Sequence, residues 1–154
     1  MDLDVDALPF IDEHHVLVAA PATTVWRHLG AAWEGPGWAG RMTASLLAAV
    51  PRRASDYPLT QGAALPGFSV REAVQGERLA LMGHHRFSEY ALTFTLTEAP
   101  GGTRLSARTD ARFPGIRGQL YRTLVIRSGG HRVVLMRLLR RVRRAAEADN
   151  ARGT

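Results

Sequence analysis

The chain has no cysteine and no lysine. The first absence excludes disulfides, thiolate metal sites and cysteine nucleophiles. The second excludes lysine Schiff-base chemistry and the lysine of a phosphate-binding loop. All 20 basic residues are therefore arginine, and against 14 acidic residues they leave a net charge of +6. Together with many Ala and Gly residues, this bias points to a GC-rich, bacterial coding sequence. Long apolar runs are missing too: none approaches the roughly 20 residues that span a bilayer. The opening MDLDVDALPF is acidic and lacks the basic start of a secretory signal, so a cytoplasmic location is expected. Neither a GxSxG elbow nor an HExxH pair occurs.

A length of 154 residues, 45% of them hydrophobic and 22% charged, predicts one globular domain over residues 1–154. Residues 1–9 read as a loosely packed lead-in. Asp2, Asp4, Asp6 and Glu13 approach a calcium-loop spacing, but Ala7 stands where the loop needs glycine and Pro9 interrupts it. Residues 11–19 read as a strand, with His14, Val16 and Val18 on one face and Glu13, His15 and Leu17 on the other. Pro21 can open a helix, along which Ala22, Val25, Trp26, Leu29 and Trp33 recur at three- and four-residue spacing. After the turn Gly35-Pro36-Gly37, Trp38, Met42, Leu46 and Ala49 predict a second short helix ending at Pro51. An irregular connection follows, with an edge strand near residues 57–59.

From Gly67 the period falls to two. Phe68, Val70, Glu72 and Val74 alternate first, then Leu79, Leu81, Gly83, His85 and Phe87, then Tyr90, Leu92, Phe94 and Leu96. Pro100-Gly101-Gly102 is a hairpin loop, beyond which Leu105, Ala107, Thr109, Ala111 and Phe113 complete an antiparallel meander with one dry face. Residues 114–149 form a helical C-terminal segment, opened by Pro114 and interrupted at Gly129-Gly130. Val134, Leu135, Leu138, Val142 and Ala145 fall in one stripe with His131 near its centre. Arginines 132, 137, 140, 143 and 144 lie on the other side, together with Val133 and Met136.

In this order of elements the chain resembles the helix-grip fold of the START and SRPBCC superfamily. HHVLVAAPATTVWRHL (residues 14–29) is similar to that superfamily's opening strand, its Ala-Pro end and its Val-Trp helix. HRFSEYALTFTL (residues 85–96) and TRLSARTDARFPG (residues 103–115) are similar to the paired central strands of its uncharacterised bacterial branch. The resemblance runs over essentially the whole chain. It implies an α+β fold in which a curved antiparallel sheet wraps around the long C-terminal helix, with two short helices after the first strand. It also implies an apolar ligand (lipid, polyketide or isoprenoid-like) in a cavity between sheet and last helix. The alternative is acid–base chemistry of the polyketide cyclase and dehydratase kind in the same cavity. No cofactor is expected.

Polar residues on inward faces are the candidates for chemistry. Glu72 alternates with Val70, His85 with Leu81, while Tyr90, Thr109 and His131 sit on the meander and the last helix. A carboxylate among apolar neighbours has a raised pKa, and a nearby histidine could share its proton. His85, Glu72 and Tyr90 are thus the proton-transfer candidates. The expected ligand wall adds Phe68, Val70, Leu81, Leu92 and Phe94 from the sheet, and Val134, Leu135 and Leu138 from the helix, to those five polar residues. Neighbouring strand residues point to opposite faces, so His14/His15 and His84/His85 cannot chelate one ion as pairs, and no metal is expected. Arg137, Arg140, Arg141, Arg143 and Arg144 make either a solvated face or a contact for an anionic membrane. Interleaved aromatics are lacking, which argues against nucleic acid. A packed interior would favour a third reading, an interaction module that works through this arginine face.

Overall fold

The computed structural model describes residues 7–33, 59–65, 67–85 and 88–153. Its elements are β1 (Phe10–Val18), α1 (Ala22–Ala31), β2 (Ala64–Leu65), β3 (Phe68–Val74), β4 (Arg78–His85), β5 (Ser88–Ala99), β6 (Gly102–Arg112), α2 (Gly115–Ile126) and α3 (Gly130–Arg152). The period-two segments become one six-stranded antiparallel sheet in the order β1-β6-β5-β4-β3-β2. This is the expected α+β architecture, with α3 laid against β1 and β6 and beside α1. The second short helix expected over residues 38–49 lies outside the described residues, as do Phe87, acidic residues 2, 4 and 6, and positions 57 and 58 of the expected edge strand.

Two bulges bend the sheet, one between Phe10 and Asp12, the other between Val70 and Glu72. The helical C-terminal segment breaks where Gly129 takes a φ of +73°, a left-handed conformation that a Cβ would disfavour. Thus α2 and α3 are separate helices.

The buried stripe of α3 consists of Leu135, Leu138, Leu139, Val142 and Ala146. It is rotated slightly from the expected one. Val134 and Ala145 are only half-buried, and Met136, expected outside, packs against the core. Polar bonds fasten the far end of this helix to the turn after β1. The Ala19 N–H donates to Glu147 Oε1 at 3.0 Å, and Asn150 Nδ2 donates to the Ala19 carbonyl at 3.0 Å. His28 and Arg27 of α1 both reach Asp149 Oδ2, at 3.1 and 3.0 Å.

The lead-in is better anchored than its composition suggests. Leu8 is 5% exposed against Met82 and Ala91 on the outer face of the sheet. The Ala111 N–H donates to the Pro9 carbonyl, and Arg112 donates to the Ala7 carbonyl. Asp110 is covered there too, bonded through both carboxylate oxygens to Arg108.

At the centre of the inner face, Trp33 meets Phe68 and Phe94 edge-on, with centroids 5.7 and 6.4 Å apart. Val70, Leu79, Leu81, Phe94, Leu105, Leu135 and Leu139 keep at most 1% exposure. Among the described residues these side chains form the apolar centre of the inner face, with Trp33 set against it. Phe94→Ala should cost about 3–5 kcal/mol in urea unfolding. Leu17→Ala, at a site 53% exposed, should stay within about 0.5 kcal/mol.

Candidate functional site

Strand register determines which inward side chains meet. One row crosses five strands through paired residues: Asp12, Thr109, Leu92, Leu81 and Val70. The row is polar at its β1 end and apolar over the rest. His14 stands one step further along β1 on the same face, opposite Ala107. His131, in the first turn of α3, comes down over the polar end.

The contacts are close. His131 Nε2 lies 3.0 Å from Thr109 Oγ1 and 3.5 Å from Asp12 Oδ1. The other carboxylate oxygen of Asp12 lies 3.1 Å from His14 Nε2. The side chains of His131, His14 and Asp12 are 14%, 18% and 26% exposed, so the corner is largely covered yet reaches solvent. Burial holds the His131 imidazole below its ordinary value of 6.5; the Asp12 carboxylate pulls it back up, and His14 adds to the depression. The positive end of α3 acts in the same direction as burial. His131 is consequently neutral at neutral pH and able to accept a proton. Among the described residues no group of three or more His, Asp or Glu side chains is placed to hold a metal ion.

The expected site residues divide. Thr109 and His131 are brought together. Tyr90 lies on the same inner face, one row away, but its hydroxyl donates to the Gly67 carbonyl at 2.8 Å. Burial, with a smaller contribution from Tyr121, pushes its phenol well above the ordinary value, which makes it a poor proton donor. The Tyr90 ring lies over Gly83, where any Cβ would collide with it. Glu72 is not in the site. The bulge at Arg71 reverses the alternation, so Ala73 turns inward while Glu72 and Val74 turn out. Glu72 pairs with Arg78 Nε at 3.0 Å on the outer face. His85 ends β4, but its side chain lies outside the described residues. Phe68, Val70, Leu81, Leu92, Phe94, Leu135 and Leu138 are core residues of the apolar wall, and Val134 sits at its half-buried edge.

Asp12 and His14 are members that sequence reasoning missed. Their signal was present, since period two from Val18 and Val16 leads to His14 and then Asp12. Elsewhere, Arg137, Arg140, Arg141 and Arg144 line an open groove of about 630 Å³ with Ala145.

Known structures share this fold. A Chromobacterium violaceum crystal structure matches with a TM-score of 0.57 at 16% identity, over 88% of this chain and 96% of that one. A Bacillus halodurans solution structure matches at 0.56 and 18% identity, over 91% and 98%. The di-domain ARO/CYC StfQ from the steffimycin biosynthetic pathway matches at 0.57 and 15% identity, covering 94% of this chain and 53% of StfQ. The fold is the helix grip. No protein-family model matches the sequence, and no curated protein matches it.

The polar corner makes stability depend on pH. The folded state binds a proton at His131 less readily than the unfolded chain does, so stability should fall as pH drops below about 6.5. In His131→Gln that part of the decline should disappear, as read by urea midpoints across the range. Thr109→Val should cost about 1 kcal/mol at neutral pH, the net worth of one hydrogen bond.

Proposed function

We propose that this chain binds an apolar small molecule carrying a hydroxyl or carbonyl group, as a member of the SRPBCC superfamily it resembles. One juxtaposition supports the reading. Asp12, His14, Thr109 and His131 converge at the solvent-reaching end of a row that continues as Leu92, Leu81 and Val70. The polar end of the ligand would exchange hydrogen bonds with Thr109 and His131. Its body would lie along the apolar row, parting the ring of Trp33 from Phe68 and Phe94. Edge-to-face contacts of this kind are worth about 0.5–1.5 kcal/mol each, which burial of the ligand can offset.

The pathway that gives StfQ its description makes a polyketide the first ligand class to try. Lipids and isoprenoids carry the same combination of a long apolar body and one polar end. A cytoplasmic location suits such a binder, and no helix among the described residues is long and apolar enough to cross a membrane.

A second reading rests on the Asp12–His131 pair. A neutral imidazole held beside a carboxylate is a general base, and with a bound polyketide it would remove a proton next to a carbonyl. Proton transfer then falls to His131, in place of Glu72 and Tyr90. Much of the acceleration would come from holding a flexible chain in one reactive shape.

The test begins with mass spectrometry of an organic extract of the purified protein and continues with titration of a hydroxylated anthraquinone. Saturable binding should weaken about five- to tenfold in Thr109→Val and His131→Leu, the loss of roughly one hydrogen bond. Glu72→Gln, on the outer face, should bind as the wild type does. A clean extract with no saturable binding, or equal affinity in all three variants, would remove the proposal. If turnover is seen, its rate should decline on the acid side as His131 takes up its proton.

A further inference from the structure

Helix α2 carries an apolar stripe that is turned away from the core. Its large aliphatic residues Ile116, Leu120 and Leu124 are 90%, 73% and 71% exposed. Spaced by four, they fall within an arc of about 80° on a helix and make a stripe about 12 Å long. The opposite side faces the protein, with Gly118 buried, Tyr121 half-buried and the Tyr121 ring 6.3 Å from Phe113. Isolated exposed leucines need no explanation, but three in line on one helix do.

The charge beside this stripe is of one sign. Arg117, Arg122 and Arg127 are all exposed, and by helical angle Arg117 and Arg127 border or join the apolar arc. Between Asp110 and Glu147 the chain carries ten arginines and no acidic residue. A second copy of this chain would set the arginines of one α2 against those of the other, with no carboxylate on either helix to pair them. A nucleic acid would satisfy the arginines and leave the aliphatic stripe in water. A surface that is anionic at its plane and apolar just beneath satisfies both.

We infer that α2 docks the protein on an anionic lipid surface, lying flat with Ile116, Leu120 and Leu124 below the headgroups and Arg117 and Arg127 among the phosphates. The observation differs from that behind the polar corner, and neither depends on the other. It also moves the contact from the arginines late in α3 to a helix that offers apolar side chains as well. In α3, Arg143 is engaged by Glu147 at 3.0 Å.

Sedimentation of the full chain with phosphatidylcholine vesicles, with and without phosphatidylglycerol, tests this. The protein should sediment with the phosphatidylglycerol vesicles at low salt, at least tenfold more than with phosphatidylcholine alone, and should be released at about 1 M salt. Leu120→Ser with Leu124→Ser should lower the bound fraction at least tenfold, while circular dichroism and the urea midpoint stay unchanged because both sites are exposed. Arg117→Gln with Arg127→Gln should weaken binding and flatten its salt dependence. Equal sedimentation of the serine variant and the wild type would overturn the inference. So would a concentration-dependent dimer that the same variant abolishes, since the face would then belong to a second copy.

Discussion

The closure of α3 on the sheet is the contact from which the other features follow. Leu135, Leu138, Leu139 and Val142 each leave at most 3% of their surface exposed. A large aliphatic side chain so buried is worth about 1.5–3 kcal/mol relative to an exposed one. The stripe fixes the roll of the helix about its axis. The bonds from Glu147, Asn150 and Asp149 to Ala19 and α1 fix its position along that axis. With roll and position both set, the first turn has no freedom in where it puts His131. It arrives over Thr109, and the helix start that follows Gly129 is as much a consequence of the packing as of the glycine.

Placing a histidine there has an electrostatic cost that the surroundings meet only partly. Burial and the helix N-terminus disfavour the imidazolium, while Asp12 favours it. Asp12 is shared, since its second oxygen faces His14. Such a balance is easily changed by a group that brings its own donor or acceptor. A core arranged only for stability would place apolar residues at the β1 end of both rows, as it does at Leu92, Leu81 and Val70 beyond Asp12 and Thr109, and at Ala107, Phe94, Leu79 and Ala73 beyond His14.

Much of this was legible in the sequence. Alternation in β5 and β6 identifies their inner faces residue by residue, and Pro100-Gly101-Gly102 marks their hairpin. Thr109 and His131 stand out as polar residues in apolar series. Glu72 misleads because a bulge adds one residue to β3 without a local sequence sign, and one residue reverses every face beyond it. Asp12 goes unnoticed for a different reason. Its importance comes from facing Thr109, nearly a hundred residues away, and pairing between the first and last strands has no local cause. The exposed stripe of α2 has helical periodicity like any core helix, and periodicity says that a face is apolar without saying what covers it.

The aromatic contacts around Trp33 bear on what kind of ligand the fold could take. A cavity that stands open invites water, and an apolar guest must then displace it. Here the apolar row is bordered by aromatic rings that meet edge to face. Edge contacts are weak singly and directional, so a guest with a flat ring system can replace them one for one, with its own faces and edges taking the places of Trp33. A flexible saturated chain would lose those ring contacts and also its own conformational freedom. For the binding role proposed above, a rigid aromatic body would replace those contacts better than a fatty acyl chain would.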